Sequence, residues 1–152
     1  MSADDVVLEL NRLIGVAQDG RKGFAEAAEY AADAELKSLF LLCSAECAGA
    51  VQELQVAVQT LGREPAGQGS IAGAAHRGWV ALKTRLEDSN VAVLEEVERG
   101  EEHAEIAYAQ ALDHLRLPPE VKGLVERQYQ GVKKNHAAVK RLRDHYRRSV
   151  HA

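Results

Sequence analysis

Apolar residues recur along the chain at intervals of three and four, the period of a helix that buries one face. The first stripe, Val6, Leu10, Leu13, Ala17, Gly20, Phe24, Ala28 and Ala31, predicts a helix from about Asp4 to Ala32. Asp33 reads as the N-cap of a second helix, striped by Leu36, Phe40, Cys43, Cys47, Ala50, Leu54, Ala57 and Leu61 and stopped by Gly62. So short a link makes the two antiparallel neighbours. A breaker-rich loop follows from Gly62 to Gly69, and Ser70 caps a shorter helix reaching about Leu86, with Ile71, Ala74, Ala75, Trp79 and Leu82 on its apolar side. Asn90 begins a third long helix, striped by Leu94, Val97, Glu101, Ala104, Tyr108, Ala111 and Leu115. Pro118-Pro119 marks a tight turn, and Pro119 suits the first turn of a last helix ending near Arg148. That helix buries Val121, Val125, Gln128, Val132, Val139 and Leu142.

Four long helices and one short one have to be arranged. An extended loop of eight residues spans at most ~27 Å. A 16-residue helix adds ~24 Å against bundle helices ~40 Å long. The stretch from Gly62 to Ser89 can therefore run back along the bundle as a crossover, joining two antiparallel hairpins. An up-down-up-down bundle with a docked extra helix is the other arrangement these lengths allow.

Composition agrees with an all-α reading. Hydrophobic residues make up 46% of the 152-residue chain but aromatics only 5%, so the core is built mostly from Ala, Val and Leu. The length fits one domain, residues 1–152. No apolar run approaches the ~20 residues of a membrane span, so no membrane is expected as a partner. The acidic start, Met1 to Asp5, lacks the cationic and apolar regions of a secretory signal. Cys43 and Cys47 lie one helical turn apart, poor geometry for a disulfide, and a reducing cytoplasm is the expected location.

The net charge of −4 is unevenly spread: from Val121 onward 9 Lys/Arg face 2 Asp/Glu, leaving −11 before it. A basic last helix packed beside acidic ones accounts for this. An anion-binding face of Lys133, Lys134, Lys140, Arg141, Arg143, Arg147 and Arg148 is the functional alternative. That stretch has no aromatic interleaving and no DNA-reading motif, so nucleic acid is not the expected partner.

Several blocks are distinctive: Gln18-Asp19-Gly20, Phe24-Ala25-Glu26-Ala27-Ala28, His76-Arg77-Gly78-Trp79, Arg99-Gly100-Glu101 followed by Tyr108, Leu117-Pro118-Pro119 and Asn135-His136. Over nearly the whole chain they resemble a bacterial family of ferritin-like four-helix bundles known as domain of unknown function 2383. The resemblance implies a ferritin-like fold and, through a distant likeness to rubrerythrins and ferritins, raises di-iron chemistry.

Di-iron bundles take one Glu from each of two helices and a Glu-x-x-His from each of the other two. Here Glu46 is followed by Gly49 where the His belongs, Lys133 precedes His136 where the Glu belongs, and the first helix has no carboxylate on its stripe. A complete centre is not expected. A reduced site is the metal reading that remains: Glu101 sits in the middle of an apolar stripe, and folding the chain at Pro118-Pro119 brings His136 to its height, with Glu46 near that level. Glu101, His136 and Glu46 are therefore the candidate metal ligands, for iron, manganese or zinc. The favoured reading is plainer, that Glu101 pairs with His136 or a tyrosine hydroxyl as a buried polar contact, or lies on the rim in water. Tyr108 and Tyr129 are expected to pack as an aromatic pair, and His76 and Trp79 to anchor the crossover helix. No Ser/His/Asp constellation, phosphate-cradling Gly loop or paired-cysteine zinc motif is present. These observations favour a non-enzymatic interaction or stress-associated protein, with a homo-oligomer or protein partner. The alternatives are a metal-binding, oxidative-stress protein and an anion-binding module.

Overall fold

The computed structural model describes residues 2–66, 89–114 and 116–151. They form four helices and, among the described residues, no strand: α1 (Ala3–Tyr30), α2 (Ala34–Thr60), α3 (Ser89–His114) and α4 (Pro119–His151). The expected short helix with His76 and Trp79, and Leu115, lie outside the described residues.

Local chemistry sets the helix ends. Ser2 and Asp5 form a capping box, the Ser2 hydroxyl accepting the Asp5 N–H at 3.2 Å while the Asp5 carboxylate takes the Ser2 N–H at 3.3 Å. Asp33 stands at the N-cap of α2 as expected, but its side chain makes no capping bond and instead accepts the Tyr146 hydroxyl from α4. Gly62 adopts φ +78°, with the Arg63 N–H on the Val58 carbonyl and the Gly62 N–H on that of Gln59. This left-handed turn closes α2 and favours a residue without a Cβ.

Side-chain bonds reveal the helix directions. Ser44 reaches the Arg21 carbonyl and Lys37 that of Ala28, so α1 and α2 are antiparallel. Arg12 meets Gln110, and the Ala32 N–H meets Asn90, so α1 and α3 are antiparallel too. Tyr108 to Gln128 sets α3 against α4, and Asn135 to Glu46 sets α4 against α2. Consequently α2 and α3 run the same way. Helix α1 packs on both α2 and α3, whereas α2 and α4 touch sparsely.

The core divides into two clusters. One, around Leu10, Leu13, Ile14, Leu54, Val58, Tyr108 and Val125, fills one end of the bundle. The other, around Phe24, Leu36, Phe40, Val93, Leu94 and Val139, fills the opposite end, with the Phe24 and Phe40 rings 6.2 Å apart. The expected stripes supply most of these residues. One sequence reading is refined: α2 contains an 18-residue window of mean hydropathy 1.2, long and apolar enough by composition to cross a membrane, of which 22% is buried inside the bundle. Its outward Leu41, Leu42 and Val56 are each 58% exposed.

Candidate functional site

Between the two clusters, at mid-height, the helices border a partly open cavity of about 480 Å³. Small residues open it. Gly23, Gly100 and Gly131 line it, and a Cβ on any of them would meet nothing within 4 Å. Ala17, Ala50 and Ala104 add further short walls. Gly20 has a different role: its Cβ would stand 3.0 Å from Cys47 Sγ, so glycine lets α1 and α2 approach closely. Protein interiors are normally packed to crystal density, and a void this size falls in the range of ligand pockets, roughly 300–1,000 Å³.

Glu101 projects into this space. It is 6% exposed, and its Oε1 has no hydrogen-bond partner among the described residues. Desolvation pushes its carboxyl up to about 8, and the nearby carboxylates of Glu105 and Glu46 push the same way. Neighbouring thiols respond alike: burial, reinforced by Glu101, raises Cys43 and Cys47 to about 12. Both are free thiols. Asp19, 8% exposed, also lines the cavity. It escaped the sequence reading because it lies off the α1 stripe, and α1 buries a wide face between two neighbours.

The cavity floor is a polar chain. Tyr108 donates its hydroxyl to Gln128 Oε1 at 2.7 Å, and Gln128 Nε2 reaches the Ala50 carbonyl at 3.3 Å and Glu53 Oε1 at 3.1 Å. Arg127 closes the chain on Glu53 at 2.7 Å, and this bond, more than the one from Gln128, holds the Glu53 carboxyl below its ordinary value. Tyr108 thus finds its partner one residue short of Tyr129, whose ring instead lies 5.0 Å from the Lys133 ammonium.

The three candidate ligands share a level but diverge around the helices. Glu101 faces inward. Glu46 is exposed at the cavity edge, its Oε2 taking Asn135 at 3.0 Å. His136 sits on the α3–α4 seam, Nδ1 2.5 Å from Glu105 Oε2 and Nε2 3.7 Å from Glu98 Oε1. The divergence follows from helical pitch: Glu98, Glu102 and Glu105 share one face, and Glu101 is turned about 60° from Glu98 at 3.6 residues per turn. Among the described residues, the set of three donor atoms lying within 4.8 Å of one another is Glu98, Glu102 and His136, which omits Glu101 and Glu46. Arg143 already bonds Glu98, and Arg147 lies 3.5 Å from Glu95, so part of the basic α4 face is engaged with acidic α3. These residues do not fit a di-iron centre: the imidazole is turned away from the buried carboxylate, and Gly20 occupies the middle of the α1 stripe.

The sequence profile of a family described as "Domain of unknown function (DUF2383)" matches residues 5–114. No curated protein matches the chain.

Proposed function

The chain belongs to the DUF2383 family of unknown function, so its role has to be read from its own site, and we propose that it is a non-enzymatic, ferritin-like bundle that binds a small molecule in its central cavity. One observation carries this reading: a space of about 480 Å³ lined by a buried carboxyl with an unpartnered oxygen. An unsatisfied buried polar group is costly, so a guest that fills the space and bonds to that oxygen is favoured. The parallel directions of α2 and α3 support the ferritin-like arrangement with a crossover. Absence of a thiolate near neutral pH, with both cysteines raised to about 12, supports binding over nucleophilic chemistry. Free thiols agree with a reducing cytoplasm, and the outward apolar side chains of α2 with a homo-oligomer or protein partner.

The test is fluorescence enhancement of N-phenyl-1-naphthylamine, a neutral apolar probe, by the full chain and by Gly23→Leu. Enhancement in the first and its loss in the second is the expected pair. No enhancement, or equal enhancement in both, overturns the reading.

A second reading is a divalent metal site on the α3–α4 seam, favoured by the clustered donors of Glu98, Glu102 and His136. Elemental analysis after reconstitution with ferrous iron, manganese or zinc tests it. Stoichiometry far below one equivalent, or metal retained by His136→Ala, removes it.

A further inference from the structure

The charges around the cavity select among guests. Five of the described lining residues carry carboxyl groups and two carry guanidinium groups. Both guanidiniums are engaged elsewhere, Arg99 with Glu96 on its own helix and Arg127 with Glu53 across to α2. Neither guanidinium of the described lining is therefore left open for an anionic guest. A bare divalent ion is equally poorly served, since no three donor atoms that include Glu101 come within 4.8 Å of one another among the described residues. Glu101 is the inward carboxyl at the centre of this lining, with buried Asp19 beside the same space and Glu46 adding negative potential from the edge.

Building on the small-molecule reading above, we propose that the guest is an organic cation, an ammonium group carried on an apolar body. The ammonium sits on the Glu101 carboxyl, whose Oε1 lacks a hydrogen-bond partner among the described residues. The body lies against Phe24, Val97, Ala104 and Val132, which come from α1, α3 and α4 and line the same space. An ammonium supplies three donors and no acceptor, the complement of a site rich in carboxylate oxygens. An ammonium beside the Glu101 carboxyl favours its ionised form, the proton passing to solvent, and hydrogen bonds between ionised partners are roughly twice as strong as neutral ones, and more so out of water. An apolar body fills the volume that a hydrated inorganic ion leaves wet.

The experiment compares 4-phenylbutylamine with its uncharged counterpart 4-phenylbutan-1-ol, by isothermal titration calorimetry at pH 9, where Glu101, raised to about 8, is ionised and the amine still protonated, on the full chain and on Glu101→Gln. The wild-type chain is expected to prefer the amine by about tenfold to a hundredfold, the range for a charge-assisted bond. In Glu101→Gln the preference should fall below about threefold while affinity for the alcohol stays nearly constant. If the wild-type chain binds the alcohol as tightly as the amine, the cation inference fails and the cavity reading stands. A preference that survives in Glu101→Gln also overturns it, because the charge is then seated elsewhere. Binding of neither probe overturns both. Should Glu101→Gln fail to fold, the wild-type chain decides alone: the amine must be preferred and must shift the methyl resonances of Val97 and Val132. Preference without those shifts refutes the placement.

Discussion

Replacing Glu101 by Gln keeps the shape of the side chain and removes its ability to ionise. In the folded chain the carboxyl is raised from the ordinary value of 4.5 to about 8, whereas in the unfolded chain it titrates normally. Between those values the folded state holds a proton that the unfolded state has lost, so unfolding becomes easier as pH rises, by at most about 1.4 kcal/mol per pH unit. Its contribution is thus fully present below pH 4.5, declines through the window up to about 8, and is flat beyond. Glu101 is 6% exposed, so solvent screening does little to reduce the effect. By pH 7 the penalty reaches about 3 kcal/mol, an upper estimate.

Glu101→Gln escapes that penalty. Its stability should match the parent near pH 4, exceed it increasingly from pH 5 by about 3 kcal/mol at pH 7, and level off only above pH 8. In a chain of this size the gain corresponds to roughly 6–12 °C in Tm. Urea denaturation followed by far-UV circular dichroism at pH 4, 5, 6, 7, 8 and 9 measures it, and the difference between the two chains cancels every other titrating group. A difference that does not vary with pH, or a variant less stable than the parent at pH 8, would refute the assignment of Glu101 as a desolvated, uncompensated acid.

Other substitutions probe the surrounding layer. Tyr108→Phe removes the hydroxyl that Gln128 accepts in the cavity floor, and the urea midpoint should drop by an amount worth about 1–2 kcal/mol; no change means the polar chain is dispensable. Gly20→Ala gains helix propensity but brings its Cβ to 3.0 Å from Cys47 Sγ, so it should stabilise less than Gly23→Ala, whose Cβ meets nothing. Combining Gly20→Ala with Cys47→Ala should recover the difference, and simple additivity of the two changes argues against the contact. With Cys43 and Cys47 raised to about 12, their reaction with an aromatic disulfide reagent at pH 8 should be at least about a hundredfold slower than that of a free thiol and become fast in denaturant. Rapid labelling of the folded chain contradicts that.

Much of the fold was legible in the linear pattern. Stripes such as Leu10-Leu13-Ala17 and Leu36-Phe40-Cys43 need no tertiary knowledge, because 3.6 residues per turn brings them onto one face, and that face has to be buried. Gly62 and Pro119 marked helix ends for equally local reasons, a left-handed backbone in one and a missing N–H in the other. Glu101 stood out for the same reason: an acid in the middle of an apolar stripe is conspicuous by period alone.

What surrounds that acid was a matter for three dimensions. Sequence spacing placed His136 level with Glu101, but height along an axis says nothing of rotation about it. The α4 side chain meets the Glu98–Glu105 face of α3 and leaves Glu101 to the cavity. Asp19 and Gln128 became part of the site through which helices flank α1 and α4, a property of packing that no single helix carries. The cavity itself is an absence of side chains contributed by four separate segments, glycines and alanines far apart in the chain that come level only in the assembled bundle. Periodicity determines which face of each helix turns inward; the rotation and spacing of neighbouring helices decide what those faces enclose.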